Sequence, residues 1–169
     1  MQFKIKNIVD ASFKKMVSWR EHLHAHPELS FQELNTCAFV ASNLEKLSIP
    51  YQRGIAGTGV VALIKGRNPQ KHCIALRADI DALPIHEEND VPYKSKTSGV
   101  MHACGHDVHT TCLLGAAMIL NQLKNEFEGT IKLIFQPGEE TLPGGASIMI
   151  NEGVLENPKV DKILALHVY

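Results

Sequence analysis

Thr130-Ile131-Lys132-Leu133-Ile134-Phe135-Gln136, followed at once by Pro137-Gly138-Glu139-Glu140, is the stretch that decides the fold. A short, largely apolar run bounded by a turn signal reads as a strand in a covered sheet. His72 to Asp79 has the same form, and Lys162 to Val168 repeats it near the end of the chain. Between these runs the period is helical, from His106 to about Lys124 through Leu113, Leu114, Ala117, Leu120 and Leu123, with a shorter helix at Ala146 to Glu152 before Gly153. Strands alternating with helices predict an α/β layer on a largely parallel sheet.

Upstream, apolar residues recur at helical spacing from Ile8 to about His24 (Ile8, Phe13, Met16, Val17, Leu23) and stop near Pro27. Ser30, three residues before Glu33, has the spacing of a capping box and predicts a second helix, carried by Leu34, Phe39, Val40, Leu44 and Leu47 to about Ser48. Gly57-Thr58-Gly59 reads as the turn of a hairpin whose second strand is Val60 to Lys65. The polar stretch His86 to Ser98 reads as a long loop.

Composition narrows the function classes. With 44% hydrophobic and 21% charged residues and a formal net charge of −1, the 169-residue chain reads as one globular domain, neither disordered nor built to bind nucleic acid. No apolar run approaches the roughly 20 residues of a membrane helix, and the first residues lack the apolar core of a signal peptide, so the expectation is cytoplasmic. Four irregularly spaced cysteines make free thiols or a metal ligand a better reading than a disulfide framework.

The reactive residues cluster where strands end. Asp79 and Asp81 close one strand, Glu139 and Glu140 follow another, and His167 ends the third. Open α/β sheets bind ligands beyond the carboxyl ends of their strands, so these groups should converge, joined by the loop Met101-His102-Ala103-Cys104-Gly105-His106-Asp107. Cys104 and His106, two apart, project to one side in an extended backbone. Thiolate, imidazole and carboxylate together suit zinc or another late divalent ion rather than calcium or magnesium. An isolated cysteine is more often an inert core thiol, but the flanking His102, His106 and glutamate pair favour a ligand.

Glu139 and Glu140, adjacent in an extended chain, should point apart and divide the work, one on a metal and one facing substrate as a general base. The bland alternative is a solvated acidic loop. Asp79 and Asp81 either orient a histidine ligand or the water, or cap the turn before Pro84. His167, taken alone, is more often a satisfied core histidine than a ligand. His22, His24 and His26 read as structural or rim residues, whereas His102 and His109 stay undecided. A thiol-redox or cysteine-nucleophile reading of Cys104 lacks a Cys-x-x-Cys partner.

With those residues in hand, the sequence resembles the M20 family of metallopeptidases, in its amidohydrolase branch of hippurate hydrolases, N-acyl-amino-acid deacetylases and auxin-conjugate hydrolases. The resemblance runs through His22-Leu23-His24-Ala25-His26-Pro27-Glu28-Leu29-Ser30, Arg77 to Pro84, Met101 to His109, Phe135 to Glu140, Gly153 to Glu156 and Ala165 to Val168, in the family's order. It implies a zinc-exopeptidase-like catalytic domain, three-layer α/β with a largely parallel or mixed central sheet. It also implies a centre of two divalent ions (zinc, manganese or nickel) on Cys104, His106, Glu140 and His167, with Glu139 as general base or acid, supported by Asp81. A metal-activated water would then cleave the amide bond of an N-acyl amino acid or short peptide, and a homo-oligomer is compatible with this family. Family members are longer, so residues 1–169 are expected to be the N-terminal part of the catalytic domain, without the lid or dimerisation domain and the C-terminal part. That makes a catalytically inactive metal-binding fragment the alternative expectation. Gly138 and Thr141-Leu142-Pro143 depart from the family's commonest form without replacing a chemical group.

Overall fold

The computed structural model describes residues 2–168. In chain order these form α1 (Gln2–Ala25), α2 (Leu34–Lys46), β1 (Tyr51–Ile55), β2 (Gly59–Lys65), β3 (Cys73–Asp79), α3 (His106–Gln122), a 3₁₀ turn (Lys124–Glu126), β4 (Thr130–Gln136), α4 (Gly145–Asn151) and β5 (Lys162–Ala165). The sheet runs β1-β2-β4-β3-β5. Its β1/β2 and β2/β4 pairs are antiparallel, and β3 pairs in parallel with both β4 and β5, so the sheet is mixed.

Strand alternation sorts side chains into two cores. Val60, Ala62 and Ile64 of β2, Ala78 of β3, and Leu133 and Phe135 of β4 face one layer of helices, meeting Trp19, Val40, Leu44, Leu114 and Ala117. The intervening Ala75 and Ile134 face the other way, against Met149 and Val154. Helices α1, α2 and α3 thus cover one face and α4 the other, a three-layer α/β arrangement. Lys132, also on the α4 side, is buried, yet each ammonium proton finds a carbonyl: Val154, Glu156 and Pro158 at 2.7–2.9 Å. No helix among the described residues is long and apolar enough to cross a membrane.

Three local expectations change. The capping box does not form: α2 begins without a side-chain cap from residue 33. The carboxylate of Glu28 caps it instead, accepting from the backbone N–H groups of Asn35 and Thr36 and the Thr36 hydroxyl. Phe13 and Val17 are exposed, because the buried stripe of α1 is Trp19 and Leu23, with Met16 packed beside them. Finally, β5 is not covered. All four of its residues are exposed, since it pairs on one side with β3 and stands at the sheet edge.

Candidate metal centre

The centre forms where β3 and β4 end and α3 begins. Gly105 precedes α3 in the left-handed region (φ +80°), and an added Cβ would stand 2.4 Å from Val168 Cγ2, so a glycine there permits both the turn and the approach of the β5 end. Cys104 and His106 therefore meet across a tight left-handed turn rather than by the alternation of an extended chain. His106, the first residue of α3, is buried.

Its two ring nitrogens differ. Nδ1 lies 2.9 Å from the Asp81 carbonyl and 3.2 Å from Asp81 Oδ1, which places the proton there. Nε2 is buried and has no hydrogen-bond partner among the described residues, with Asp79 Oδ2 and Glu140 Oε1 each 3.7 Å away. A buried lone pair aimed among carboxylates is the orientation a metal-ligating imidazole needs, with a carboxylate holding the other nitrogen.

Asp81 is fully buried. Burial alone would raise its pKa. Hydrogen bonds from His106, the Ser30 hydroxyl and the backbone N–H groups of Glu140 and Glu139 outweigh that and hold it at about 2. Ser30 Oγ donates to Asp81 Oδ2 at 2.7 Å, and the Glu140 N–H donates to the same oxygen at 3.0 Å. Glu33, also fully buried, accepts from the Thr58 hydroxyl and from the Gly138 backbone N–H. Ser30 and Glu33, which the sequence assigns to a helix cap, thus brace the carboxylate loop after β4.

Cys104, His106 and His167 each place one ligand atom within 4.8 Å of the other two, and so do His106, Glu139 and Glu140. His106 is common to both groups. Cys104 Sγ and His167 Nε2 are 3.5 Å apart. The glutamates do not point apart, because the chain bends at residues 139–140 and both carboxylates reach the His106 side. Glu139 is exposed, and the Glu140 side chain keeps 22% of its surface accessible. Burial, and next Glu140 with the carboxylates around it, push the Cys104 thiol up to about 11. With the buried Nε2 lone pair of His106, the carboxylates of Asp79, Glu139 and Glu140, the His167 imidazole and the Cys104 thiol form a donor set that fits a late divalent cation.

Asp79 and His109, unassigned from sequence, belong to this region: His109 Nδ1 is 2.6 Å from Asp79 Oδ1, and Arg77 Nη1 is 2.7 Å from Asp79 Oδ2. The available signal was spacing, since His109 lies three residues after His106 on the same helical face. His102 is buried, with neither nitrogen bonded among the described residues, and burial lowers its pKa to about 4. His24 sits behind the centre with Nδ1 2.7 Å from Asp107 Oδ2 and Nε2 3.0 Å from Glu87 Oε1. That pairing ties α1 to the first turn of α3 and to the loop after β3.

Comparison with known proteins gives the family of the chain. The family model described as peptidase family M20/M25/M40 matches residues 75–169. The chain is 45% identical over 166 residues to an N-acyl-L-amino acid amidohydrolase of Geobacillus stearothermophilus, covering 98% of this chain and 44% of that protein. It is 46% identical over 167 residues to thermostable carboxypeptidase 2 of Saccharolobus solfataricus, covering 98% of this chain and 42% of that protein. Among solved structures it matches the Bacillus subtilis YXEP protein, described as a dinuclear metal binding peptidase, with a TM-score of 0.88 and 45% identity over 95% of this chain and 44% of that one. The chain therefore spans less than half the length of each of these proteins.

Proposed function

Because the chain belongs to peptidase family M20/M25/M40, we propose that it carries the metal-binding residues of an enzyme hydrolysing the amide bond of N-acyl amino acids or short peptides. The buried, unbonded Nε2 of His106 carries this reading, together with the thiol, imidazole and carboxylates around it. Cys104, His106, Glu140 and His167 would hold divalent metal, two ions in the complete centre, with zinc, manganese and nickel all suited to the donors. Metal bound there supplies Lewis-acid polarisation of the amide carbonyl and makes water a stronger acid.

The chain's own groups then have separable tasks. Asp81 fixes the proton of His106 on Nδ1 and so keeps Nε2 facing the centre. Glu139, exposed beside Glu140, accepts a proton from the attacking water and returns it to the nitrogen of the breaking C–N bond. The products are a carboxylic acid and an amino acid.

A second reading, a metal-binding chain without turnover, is favoured by one observation: β5, which leads to His167, is an exposed edge strand. Amine release from N-acetyl amino acids by the zinc- or manganese-loaded chain separates the two. Hydrolysis lost about 10³-fold or more in Glu139→Gln, with metal content unchanged, supports the first reading. Full metal binding without hydrolysis supports the second, and absence of both contradicts each.

A further inference from the structure

His109 is buried on α3, and both ends of its ring are in use. Nε2 accepts the backbone N–H of Val168 at 3.0 Å. A ring nitrogen that accepts carries no proton, so the other, Nδ1, bears it and donates to Asp79 Oδ1 at 2.6 Å. Asp79 is itself fixed by Arg77 Nη1 at 2.7 Å, and Arg77 Nε donates to Gln136 Oε1 at 2.9 Å. The Thr110 hydroxyl donates to the Asp79 carbonyl at 2.9 Å. A continuous polar line thus runs from the ends of β3 and β4, through α3, to the residue after His167.

That residue needs such a tie. The β5 ladder with β3 ends at Ala165 opposite Arg77, two residues before His167. Beyond it, Val168 is held by His109 and by its approach to Gly105, and the His109 and His167 rings lie 4.7 Å apart at 62°.

Asp79, His106 and His109 also form a buried group with ligand atoms within 4.8 Å, which could suggest that His109 binds metal itself. Ligation would break one of its two hydrogen bonds, and Asp79 is already fixed at the end of β3 by Arg77. We propose that His109 is a positioning residue that sets His167 at the metal centre through the Val168 N–H, and is not itself a ligand. This rests on the reading of His167 as a ligand.

Titration of the full chain with Co²⁺ tests it, reading dissociation constant, ions per chain and the thiolate-to-cobalt absorption band, with urea unfolding of the metal-free proteins alongside. Asn in place of His109 keeps a donor near Nδ1 and loses the acceptor for Val168; Gln can offer an amide oxygen where Nε2 stands. His109→Asn is expected to weaken Co²⁺ binding about 10-fold, with ion number and thiolate band unchanged. His109→Gln should lie nearer the wild type. Val168→Pro, which removes the donor from the other side, should match His109→Asn. The double variant His167→Ala/His109→Asn should bind no more weakly than His167→Ala alone. Additive losses in that pair, a lost ion, or an unfolding midpoint that falls while affinity holds would each overturn the proposal. Unchanged affinity in His167→Ala would instead overturn the ligand reading beneath it.

Discussion

The two strand ends that feed the centre are built unequally. The loop after β4 is gripped from several sides: Gly138 N donates to Glu33 Oε1 at 2.8 Å, Glu140 N to Asp81 Oδ2 at 3.0 Å, and Gly145 N to the Gly138 carbonyl at 2.8 Å. The segment carrying His167 leaves an exposed edge strand and is tied near its end by Val168 to His109 and Gly105. The carboxylate half of the centre is therefore preorganised by the connector between α1 and α2. The imidazole half stands beside an edge strand, with Val168 joined to His109 and Gly105, and changes of equal size should act differently on the two.

The largest effect is expected behind the centre, where α1 meets α3. His24→Ala leaves Asp107 and Glu87 buried without their shared imidazole, a loss of about 4 kcal/mol in urea unfolding. Its hydrogen bond to Asp107, reinforced by Glu87, raises the His24 pKa above its ordinary value. The folded protein therefore binds the proton more tightly than the unfolded chain. That contribution is fully present below about pH 6.5 and is lost as pH rises through the higher folded value. Between pH 6.5 and 9, wild-type stability should fall more than that of His24→Gln. Equal pH slopes would contradict the pairing of a protonated His24 with Asp107 and Glu87.

A matched pair of glycine substitutions sharpens the contrast. Gly138 and Gly105 both have positive φ, so an alanine costs about 1 kcal/mol of backbone strain at either. At Gly138 the new Cβ would meet three Phe31 ring carbons at 2.4–2.7 Å, adding about 2 kcal/mol of overpacking. At Gly105 it meets one close atom, Cγ2 at the tip of the Val168 side chain, which can turn aside. Gly138→Ala should thus lose about 3 kcal/mol of stability and Gly105→Ala about 1, while Co²⁺ affinity falls further in Gly105→Ala. Reversed orders in either readout would break the comparison.

Much of this was legible in the sequence where one run of residues carries the whole signal. Thr130 to Gln136 reads as a strand because its neighbours on both faces are covered, and β4 has those bounds. The residues proposed as ligands gather because each follows a strand end or opens α3. What escaped depends on partners far along the chain. Ser30 and Glu33 look like a cap locally, yet Glu28 can do that work, and the two are drawn to Asp81 and Gly138, 51 and 105 residues away. Alternation misjudges Cys104 and His106, and Glu139 and Glu140, because a left-handed glycine and a bend replace extended backbone. Leu164 and Leu166 read as covered from their apolarity alone, but pattern reports what a residue prefers, not what lies over it; both are exposed.

If Cys104 and His106 bind one metal, a zinc ion held there has a sulfur neighbour. Zinc K-edge absorption of the zinc-loaded chain tests it most directly. The expected result is one sulfur scatterer at about 2.3 Å beside nitrogen and oxygen at about 2.0–2.1 Å, with the sulfur lost in Cys104→Ala. A wild-type shell of nitrogen and oxygen alone, identical in that variant, would contradict it.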